Sequence, residues 1–527
     1  MFRDKTNKCS FRVREGDFQD AYAFVDGMLT RKDVNDETAK ETLLVFEALM
    51  QKLVDWGLSE NTDLEISGKE GLGEFRIKVG FAGKMYVPDD EAERSIEDMI
   101  LEAHDDKIDY SYSSGYNAIS IAVSRSNRTT MFSCTIALLC AVIVYFPLSF
   151  ILNVQEQQDL LMNYVLPLEK LYTNAALMVG APMTFFSLLK NLTNTYVVSQ
   201  KSSGIRQLQA QTIVTSVLAI LLAFVTFFIV FILFSSQEGF MSAFGNSINR
   251  TFADVITSLI PPSIFEPFEA ISPVPLMVVA LLCTYALCSA GKYFATLRHA
   301  MMACYTLFSR MLHVVIAVLP VFCFVAIMDV LLDTGLAGIT GLLMYFGVVY
   351  MGFLVLFVSY VIRMRAHGIK VIPFVRQIAP LLRENFKIGS AINAAPYNIR
   401  YCSKNLKMNR SMLERNLPVL AEINLDGNCF ILMIFTLMFI FLTGTNVPLF
   451  SFFGLAVLVL LLSFGAPNQP GSILIGTLII LIYLQSSDLM CAAIYSEAFL
   501  GSAQNLINVF GDIVMVAIED SKEKAIK

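Results

Sequence analysis

The sequence predicts a multi-pass α-helical membrane protein, with eight transmembrane helices and two re-entrant hairpins, preceded by a small α/β cytoplasmic domain. Hydrophobic residues make up 55% of the 527 residues and charged residues only 16%, against about 25% charged residues in a typical soluble domain. The apolar excess begins after Thr129, where stretches of the roughly 20 residues needed for one span follow one another to the end.

The chain divides into three predicted parts. Residues 1–128 are expected to form the cytoplasmic domain, residues 129–519 the membrane domain and residues 520–527 a cytoplasmic tail. Because the first apolar stretch begins too late for a cleaved signal peptide, we expect the amino-terminal domain to stay in the cytoplasm and the protein to lie in the plasma or inner membrane. The net charge of −6 comes without a basic run, so no nucleic-acid partner is expected.

Basic residues in the loops orient the predicted spans. Arg125 and Arg128 precede the stretch 131–153, which therefore begins inside, and the acidic segment 236–272 is placed outside. The basic residues between 363 and 376 return the chain to the inside, as does the carboxyl-terminal tail. Both termini are therefore predicted to be cytoplasmic.

Two stretches differ from ordinary spanning helices. Residues 373–407 have a weakly polar centre, GSAINAAP, with basic residues on both sides, which predicts a hairpin entering from the cytoplasm. In residues 451–484, GAPNQPGS interrupts an apolar run with prolines and glycines that a continuous helix does not accommodate. Irregular backbone at membrane depth occurs where it is buried in protein or lines a cavity, which indicates a binding site. Two ordinary kinked spans are the alternative.

Two pairs of polar residues lie within or beside apolar runs: Asn424 with Asp426, and Asn508 with Asp512. An ionised carboxylate in hydrocarbon costs several kcal/mol, so such residues are functional candidates. Carboxylate and amide oxygens together suit a hard cation. Helix-end caps at the membrane interface are the alternative interpretation.

At these residues the chain resembles the dicarboxylate/amino acid:cation symporter family, the glutamate transporter homologues, over roughly residues 130–519. Residues 424–428 (NLDGN) are similar to the family's Asn-Met-Asp-Gly-Thr motif, and residues 508–512 (NVFGD) match its Asn-x-x-Gly-Asp motif. Three further matches are residues 469–472 (QPGS) at the second hairpin tip, residues 390–396 at the first, and the pair Thr215-Ser216 in the third span.

The resemblance implies a homotrimer in the lipid bilayer that performs Na⁺-coupled symport of a small organic solute, with no enzymatic activity. Na⁺ would be the coupling ion, and no other metal is expected. The residues carried over as cation ligands are Thr215, Ser216, Asn424, Asp426, Asn508 and Asp512. Those carried over as solute-binding residues are Ser390, Asn428, Pro470, Gly471, Gly501, Gln504 and Asn505.

The sequence departs from the family at the solute site. Gln504 stands where the family has the arginine that clamps a distal carboxylate, and Gly501 stands where it has an aspartate for the amino group. Thr212 replaces a tyrosine near the cation ligands. Glutamine lacks the charge of a guanidinium, so we expect a specificity divergent from acidic amino acids. A transporter-derived sensor that binds solute without transporting it is the alternative.

The amino-terminal domain shows a mixed α/β pattern. Residues 41–57 form an amphipathic helix pattern, residues 75–81 and 119–123 alternate as strands, and residues 89–104 predict an acidic helix between them. This order resembles the histidine-kinase-type ATPase fold in its anti-sigma-factor serine-kinase form.

The nucleotide-binding positions of that fold are altered here. Gln51 stands in place of the magnesium-binding asparagine of the family, and residues 81–83 (FAG) replace its Asp-x-Gly. ATP binding is therefore not expected. The resemblance implies a degenerate module that contacts a cytoplasmic regulatory partner.

Overall fold

The structure is a computed structural model. It describes residues 8–12, 15–32, 36–56, 62–71, 74–84, 107–113, 115–123, 130–201, 203–234, 259–442, 449–467, 469–484 and 490–526, with a few single positions between them. The chain forms two compact units, one comprising residues 1–128 with Asn393–Tyr397 and the other comprising the remaining residues from Thr129 onward.

The first unit contains an antiparallel five-stranded sheet. Its strands are β1 (Lys8–Arg12), β2 (Asp63–Gly71), β3 (Glu74–Ala82), β4 (Ile108–Ser113) and β5 (Tyr116–Val123). Their order across the sheet is β1-β2-β3-β5-β4. Alternating side chains of the strands, such as Ile77, Val79 and Ile121, are buried, which is the pattern of a sheet covered on one face.

Two helices of this unit, α1 (Glu15–Arg31) and α2 (Asp36–Asp55), contribute buried apolar residues. Because residues three to four apart share one helix face, Phe46, Leu49 and Leu53 line a single buried stripe. The predicted amphipathic helix and alternating strands are therefore present. The predicted acidic helix over 89–104 lies largely outside the described residues.

The second unit is helical throughout the residues that the structure describes. We number its helices on from the first unit. They are α3 (Thr130–Ile151), α4 (Val154–Leu160), α5 (Leu166–Lys201), α6 (Ser203–Phe234), α7 (Glu266–Glu269), α8 (Pro273–Cys288), α9 (Phe294–Ala317), α10 (Leu319–Thr334), α11 (Leu336–Ala366), α12 (Val371–Ile388), α13 (Ala391–Asn405), α14 (Arg410–Ile423), α15 (Asp426–Leu442), α16 (Leu449–Gly465), α17 (Ser472–Tyr483) and α18 (Cys491–Ile526).

Within the described parts of the chain, seven helical stretches are long and apolar enough to cross a membrane. They are Thr130–Ile151, Val154–Val197, Arg206–Val230, Phe294–Ala317, Leu336–Ala366, Arg410–Ile440 and Cys491–Lys524. A multi-pass membrane protein is therefore confirmed. The count of eight spans stays a prediction, and most of the acidic segment 236–272 lies outside the described residues.

The two segments predicted as hairpins are each a pair of helices with a break between them. Helix α12 ends at Ile388 and is followed by Gly389, where φ is +68°, and α13 starts at Ala391. Helices α16 and α17 are separated by residues that include Gly471, where φ is +106°. Such values favour glycine because a Cβ strains them. Whether these pairs are re-entrant in the membrane stays a prediction.

The last helix continues into the residues predicted as a cytoplasmic tail, 520–527, whose location stays a prediction. Helix α18 continues to Ile526, so the polar residues after 519 extend a helix. An ion pair between Asp520 and Lys524, with 2.6 Å between the charged atoms, lies along its surface. Pairs four residues apart support a helix in this way, which explains why the helix does not end where the apolar residues do.

Candidate functional site

The candidate site is built around a break between two helices. Helix α14 ends at Ile423 and α15 begins at Asp426, so residues 424 and 425 are outside regular helix. The Asn424 N–H still donates to the Leu420 carbonyl at 2.7 Å. A break of this kind frees backbone groups and turns side chains of both helix ends toward the interior.

A chain of hydrogen bonds joins helices α6 and α18 through this break. Thr215 Oγ1 on α6 donates to Asn424 Oδ1 at 3.0 Å, and Asn424 Nδ2 donates to Asp512 Oδ1 on α18 at 2.8 Å. All three residues are buried. The structure therefore brings together one residue from each of the three sequence motifs.

Asp426 lies beside this chain and is also buried. Ser216 Oγ donates to its Oδ1 at 3.2 Å, and Tyr360 Oη on α11 donates to its Oδ2 at 3.0 Å. The hydrogen-bond partners of Asp426 and Asp512 are thus neutral side chains. Two buried carboxylates with neutral partners favour a bound cation, because a buried charge is costly without a counter-charge.

Asn508 is the remaining predicted cation ligand. Its Oδ1 accepts from the Gly427 N–H at 2.8 Å. A Cβ at Gly427 would lie 2.8 Å from the Gln504 carbonyl oxygen. Glycine at this position therefore permits the close approach of α15 to α18, which places the two motifs side by side.

The donor set is made of hydroxyl, amide and carboxylate oxygens. Hard cations prefer such ligands, and Na⁺ belongs to this class. The residues present therefore fit the coupling ion that the sequence predicts. The six predicted cation ligands lie in one connected region, although their role as ligands stays a prediction.

The tips of the two helix pairs meet next to this region. A Cβ at Gly389 would lie 3.7 Å from Pro470 Cγ, so the two breaks approach each other. Asn505 Nδ2 on α18 donates to the Asn385 carbonyl at 3.0 Å, and Ser472 Oγ donates to Gln504 Oε1 at 3.3 Å. Helix α18 thus contacts both tips through neighbouring residues, 504 and 505.

Glu497 holds the second tip. Its Oε1 accepts from the Gly471 N–H at 2.8 Å, and its Oε2 accepts from the N–H groups of Ile473 and Leu474 at 3.0 and 3.1 Å. These amides belong to the amino-terminal end of α17, where the first N–H groups lack partners within the helix and a negative charge is favoured. The chain's own carboxylate therefore occupies this anion-binding position.

Gly501 lies one helical turn after Glu497. A Cβ at this position would come within 2.8 Å of Glu497 Oε1. A larger residue here would therefore displace the Glu497 carboxylate from the tip. The glycine and the glutamate act as a matched pair, since the absence of one side chain makes room for the other.

Two further predicted solute-binding residues, Asn428 and Ser390, are also buried. Asn428 is fully buried, and neither its Nδ2 nor its Oδ1 has a hydrogen-bond partner among the described residues. Buried amides are rarely left unpaired, so a polar solute group or water is expected there. Ser390, just after the first break, is also buried.

Sequence reasoning missed Glu497 and Tyr360. Glu497 stands in the first turns of α18 and resembles an ordinary acidic residue near the end of a span. Tyr360 lies in an apolar, aromatic-rich helix that offers no local sign of a polar contact. The sequence did contain one indication of Glu497: Gly501, one helical turn later, has no side chain and leaves space for the carboxylate.

Comparisons with known proteins agree with the architecture. The model of the Sodium:dicarboxylate symporter family matches residues 129–521, which is nearly the whole second unit. No curated protein matches the chain significantly.

Proposed function

Because this chain belongs to the sodium:dicarboxylate symporter family, we propose that it is a secondary active transporter that couples Na⁺ to the symport of a small organic solute other than glutamate or aspartate. The observation that carries the proposal is the hydrogen-bonded chain Thr215–Asn424–Asp512 with Asp426 beside it. Two buried carboxylates whose hydrogen bonds come from neutral side chains would suit a cation, because hydroxyl, amide and carboxylate oxygens are the ligands that hard cations prefer.

Coupling requires that ion and solute stabilise the same conformation. Residues 424 to 428 support this requirement, since Asn424 and Asp426 lie in the cation region and Asn428 follows within one turn. Gly427 links the same turn to Asn508. Binding of Na⁺ would order the backbone that carries Asn428. Na⁺ and solute would then both bind this ordered conformation more tightly, so each would shift the protein toward it.

The specificity that we propose follows from the charges near the tips. Gln504 is neutral, Gly501 has no side chain, and the amides of the second tip are taken by Glu497. A solute with a distal carboxylate would meet no guanidinium at position 504 and would compete with Glu497 for the N–H groups of Gly471, Ile473 and Leu474. A neutral solute group can pair with the Asn428 amide instead.

Membership in the family also supports a homotrimer in the membrane, and we propose this assembly with cytoplasmic termini. The amino-terminal unit is proposed as a regulatory module. In it the Gln51 side chain donates to Asp55 of its own helix at 3.2 Å, and Trp56 packs against Phe81 with 6.4 Å between ring centroids. Both contacts lie within this unit, so these side chains stabilise its fold and we do not assign them to a nucleotide site.

The test uses Na⁺ itself as the probe. The purified full chain should show a higher Tm in NaCl than in choline chloride of equal ionic strength, because a ligand that binds only the folded state stabilises it. Asp512→Asn should weaken the apparent Na⁺ affinity at least about tenfold, since ligand charge sets the affinity of such sites.

Asp520→Asn is the matched control. It removes a carboxylate from the same helix two turns later, where Asp520 pairs with Lys524 and accepts from the Asn409 N–H. This variant should keep the Na⁺ dependence of the parent. An unchanged Na⁺ response in Asp512→Asn, with the parent stabilised by Na⁺, would show that the cation site lies elsewhere.

A further inference from the structure

A separate cluster of ligand atoms lies where three helices of the second unit meet. Glu169, Asp329 and Cys491 each place one ligand atom, a carboxylate oxygen or the thiol sulfur, within 4.8 Å of the others. Glu169 and Cys491 are buried, with exposed fractions of 6% and 4%, and Asp329 is partly buried. No residue of the candidate cation site belongs to this cluster.

One carboxylate oxygen of the cluster, Glu169 Oε2, is buried without a hydrogen-bond partner among the described residues, which indicates that a ligand is missing here. Two carboxylates at this separation repel each other unless a proton or a cation lies between them. The Cys491 side chain is within hydrogen-bonding distance of Asp329, so a sulfur converges with the two carboxylates on the same point.

We propose that Glu169, Asp329 and Cys491 form a binding site for a thiophilic divalent cation of the Zn²⁺ class. Zn²⁺ accepts thiolate and carboxylate ligands in tetrahedral geometry with bonds of about 2.0 to 2.3 Å, which places ligand atoms about 3.4 to 3.6 Å apart. The observed separations, all within 4.8 Å, would have to shorten by up to about 1.4 Å for the three atoms to bind one ion. Three protein ligands leave the fourth position to water.

The three ligands of the cluster come from three different helices. Glu169 lies in the first turn of α5, Asp329 in the last two turns of α10 and Cys491 at the first position of α18. Helix ends of these three elements are therefore gathered on one side. A turn of π-helix at Leu161–Val165 precedes Glu169, and such turns often accompany functional sites because they re-aim the following side chains.

Metal binding would join elements with different roles. Helix α18 carries Glu497, Gln504 and Asp512 of the candidate site, whereas α5 and α10 contribute none of the residues described there. A metal bridge would therefore fasten the beginning of α18 to two helices outside the site. Cys491 would lose its proton on binding, so the affinity should rise with pH.

The experiment uses Co²⁺ as a spectroscopic probe of the purified, reduced full chain. The parent protein should develop one equivalent of a sulfur-to-cobalt charge-transfer band in the near ultraviolet, and Zn²⁺ should displace it. Cys491→Ser should lose this band. Cys402→Ser is the matched control, since Cys402 is another buried thiol, on α13, and it should leave the band unchanged.

A second variant keeps the test independent of the thiol. Glu169→Gln removes one charged ligand and should lower the Zn²⁺ affinity, measured by competition with a metal indicator, by at least about tenfold. A parent protein without the band, or a band that survives in Cys491→Ser, would overturn the proposal. Equal Zn²⁺ affinity in the parent and Glu169→Gln would overturn the assignment of the carboxylate.

Discussion

At the scale of single residues, the proposed solute specificity depends on the charge at position 504. Gln504 Oε1 accepts from Ser472 Oγ at 3.3 Å, so the side chain ties α18 to the second tip without offering a positive charge. A guanidinium binds a carboxylate through two parallel hydrogen bonds, which glutamine cannot reproduce. The site is therefore expected to discriminate against dicarboxylates.

Gln504→Arg should allow the site to bind dicarboxylates. The affinity for L-aspartate should rise by about tenfold or more, since hydrogen bonds to charged groups contribute about 1.5 to 3 kcal/mol. Gln504→Lys is the matched control, because it adds the charge without the planar fork and should gain less. Isothermal titration with L-aspartate measures both. Tight binding of L-aspartate by the parent protein would contradict the proposed specificity.

In the amino-terminal unit, Glu41 provides a pH-dependent contact. Burial alone would raise its pKa, but the hydrogen bond with His104 and the charge of Lys107 outweigh it and lower the pKa of Glu41 to about 2. A carboxyl whose pKa is lower in the folded state stabilises the fold above its ordinary value of 4.5, and this contribution is lost as the pH falls from there toward 2.

Glu41→Gln should therefore destabilise this unit at pH 7 and flatten its stability between pH 5 and pH 3. Hydrogen exchange of β4 and β5 in the full chain reports the local opening free energy. Glu47→Gln, on the same helix α2, is the control and should keep the pH dependence of the parent. An identical pH profile in the parent and Glu41→Gln would rule out this contact as its source.

At the scale of elements, the break between α16 and α17 is the segment best placed to move. Its backbone amides are held by Glu497 and its Ser472 hydroxyl by Gln504, both on α18. The tip is therefore fastened by polar contacts rather than by continuous helix. Contacts of this kind can be exchanged for contacts with ion and solute.

A cysteine at Ser472 tests this movement. A membrane-impermeant maleimide added from outside should label this variant more than the parent protein. Na⁺ should lower the rate of that additional labelling. Adding Glu497→Gln should speed labelling several-fold, because the neutral amide holds the helix-end N–H groups less strongly than a carboxylate does. Labelling that responds neither to Na⁺ nor to Glu497→Gln, or that occurs only from the cytoplasmic side, would contradict movement of this tip on the outer side.

At the scale of the whole molecule, much of the helical architecture followed from local pattern. Apolar length predicted the helix near 131–153, and the glycines and prolines marked the break at Gly471. Asn424 and Asp426 were found because an amide and a carboxylate are rare in apolar runs.

What sequence could not supply is which buried groups meet across helices. Tyr360 reaches Asp426 over 66 positions of chain, and Glu497 reaches the second tip from 26 positions beyond Gly471. Such contacts depend on packing between elements, and no local period or propensity encodes them.

The most direct test of Na⁺-coupled symport is uptake into proteoliposomes. A panel of neutral, zwitterionic and acidic organic solutes would first be screened for those that raise the Tm of the purified chain in Na⁺. We expect these solutes to accumulate above the outside concentration when an inward Na⁺ gradient is imposed, and only to equilibrate when Na⁺ is equal on both sides. L-aspartate should not accumulate. Solutes that bind in Na⁺ but never accumulate under the gradient would contradict transport and identify the chain as a sensor.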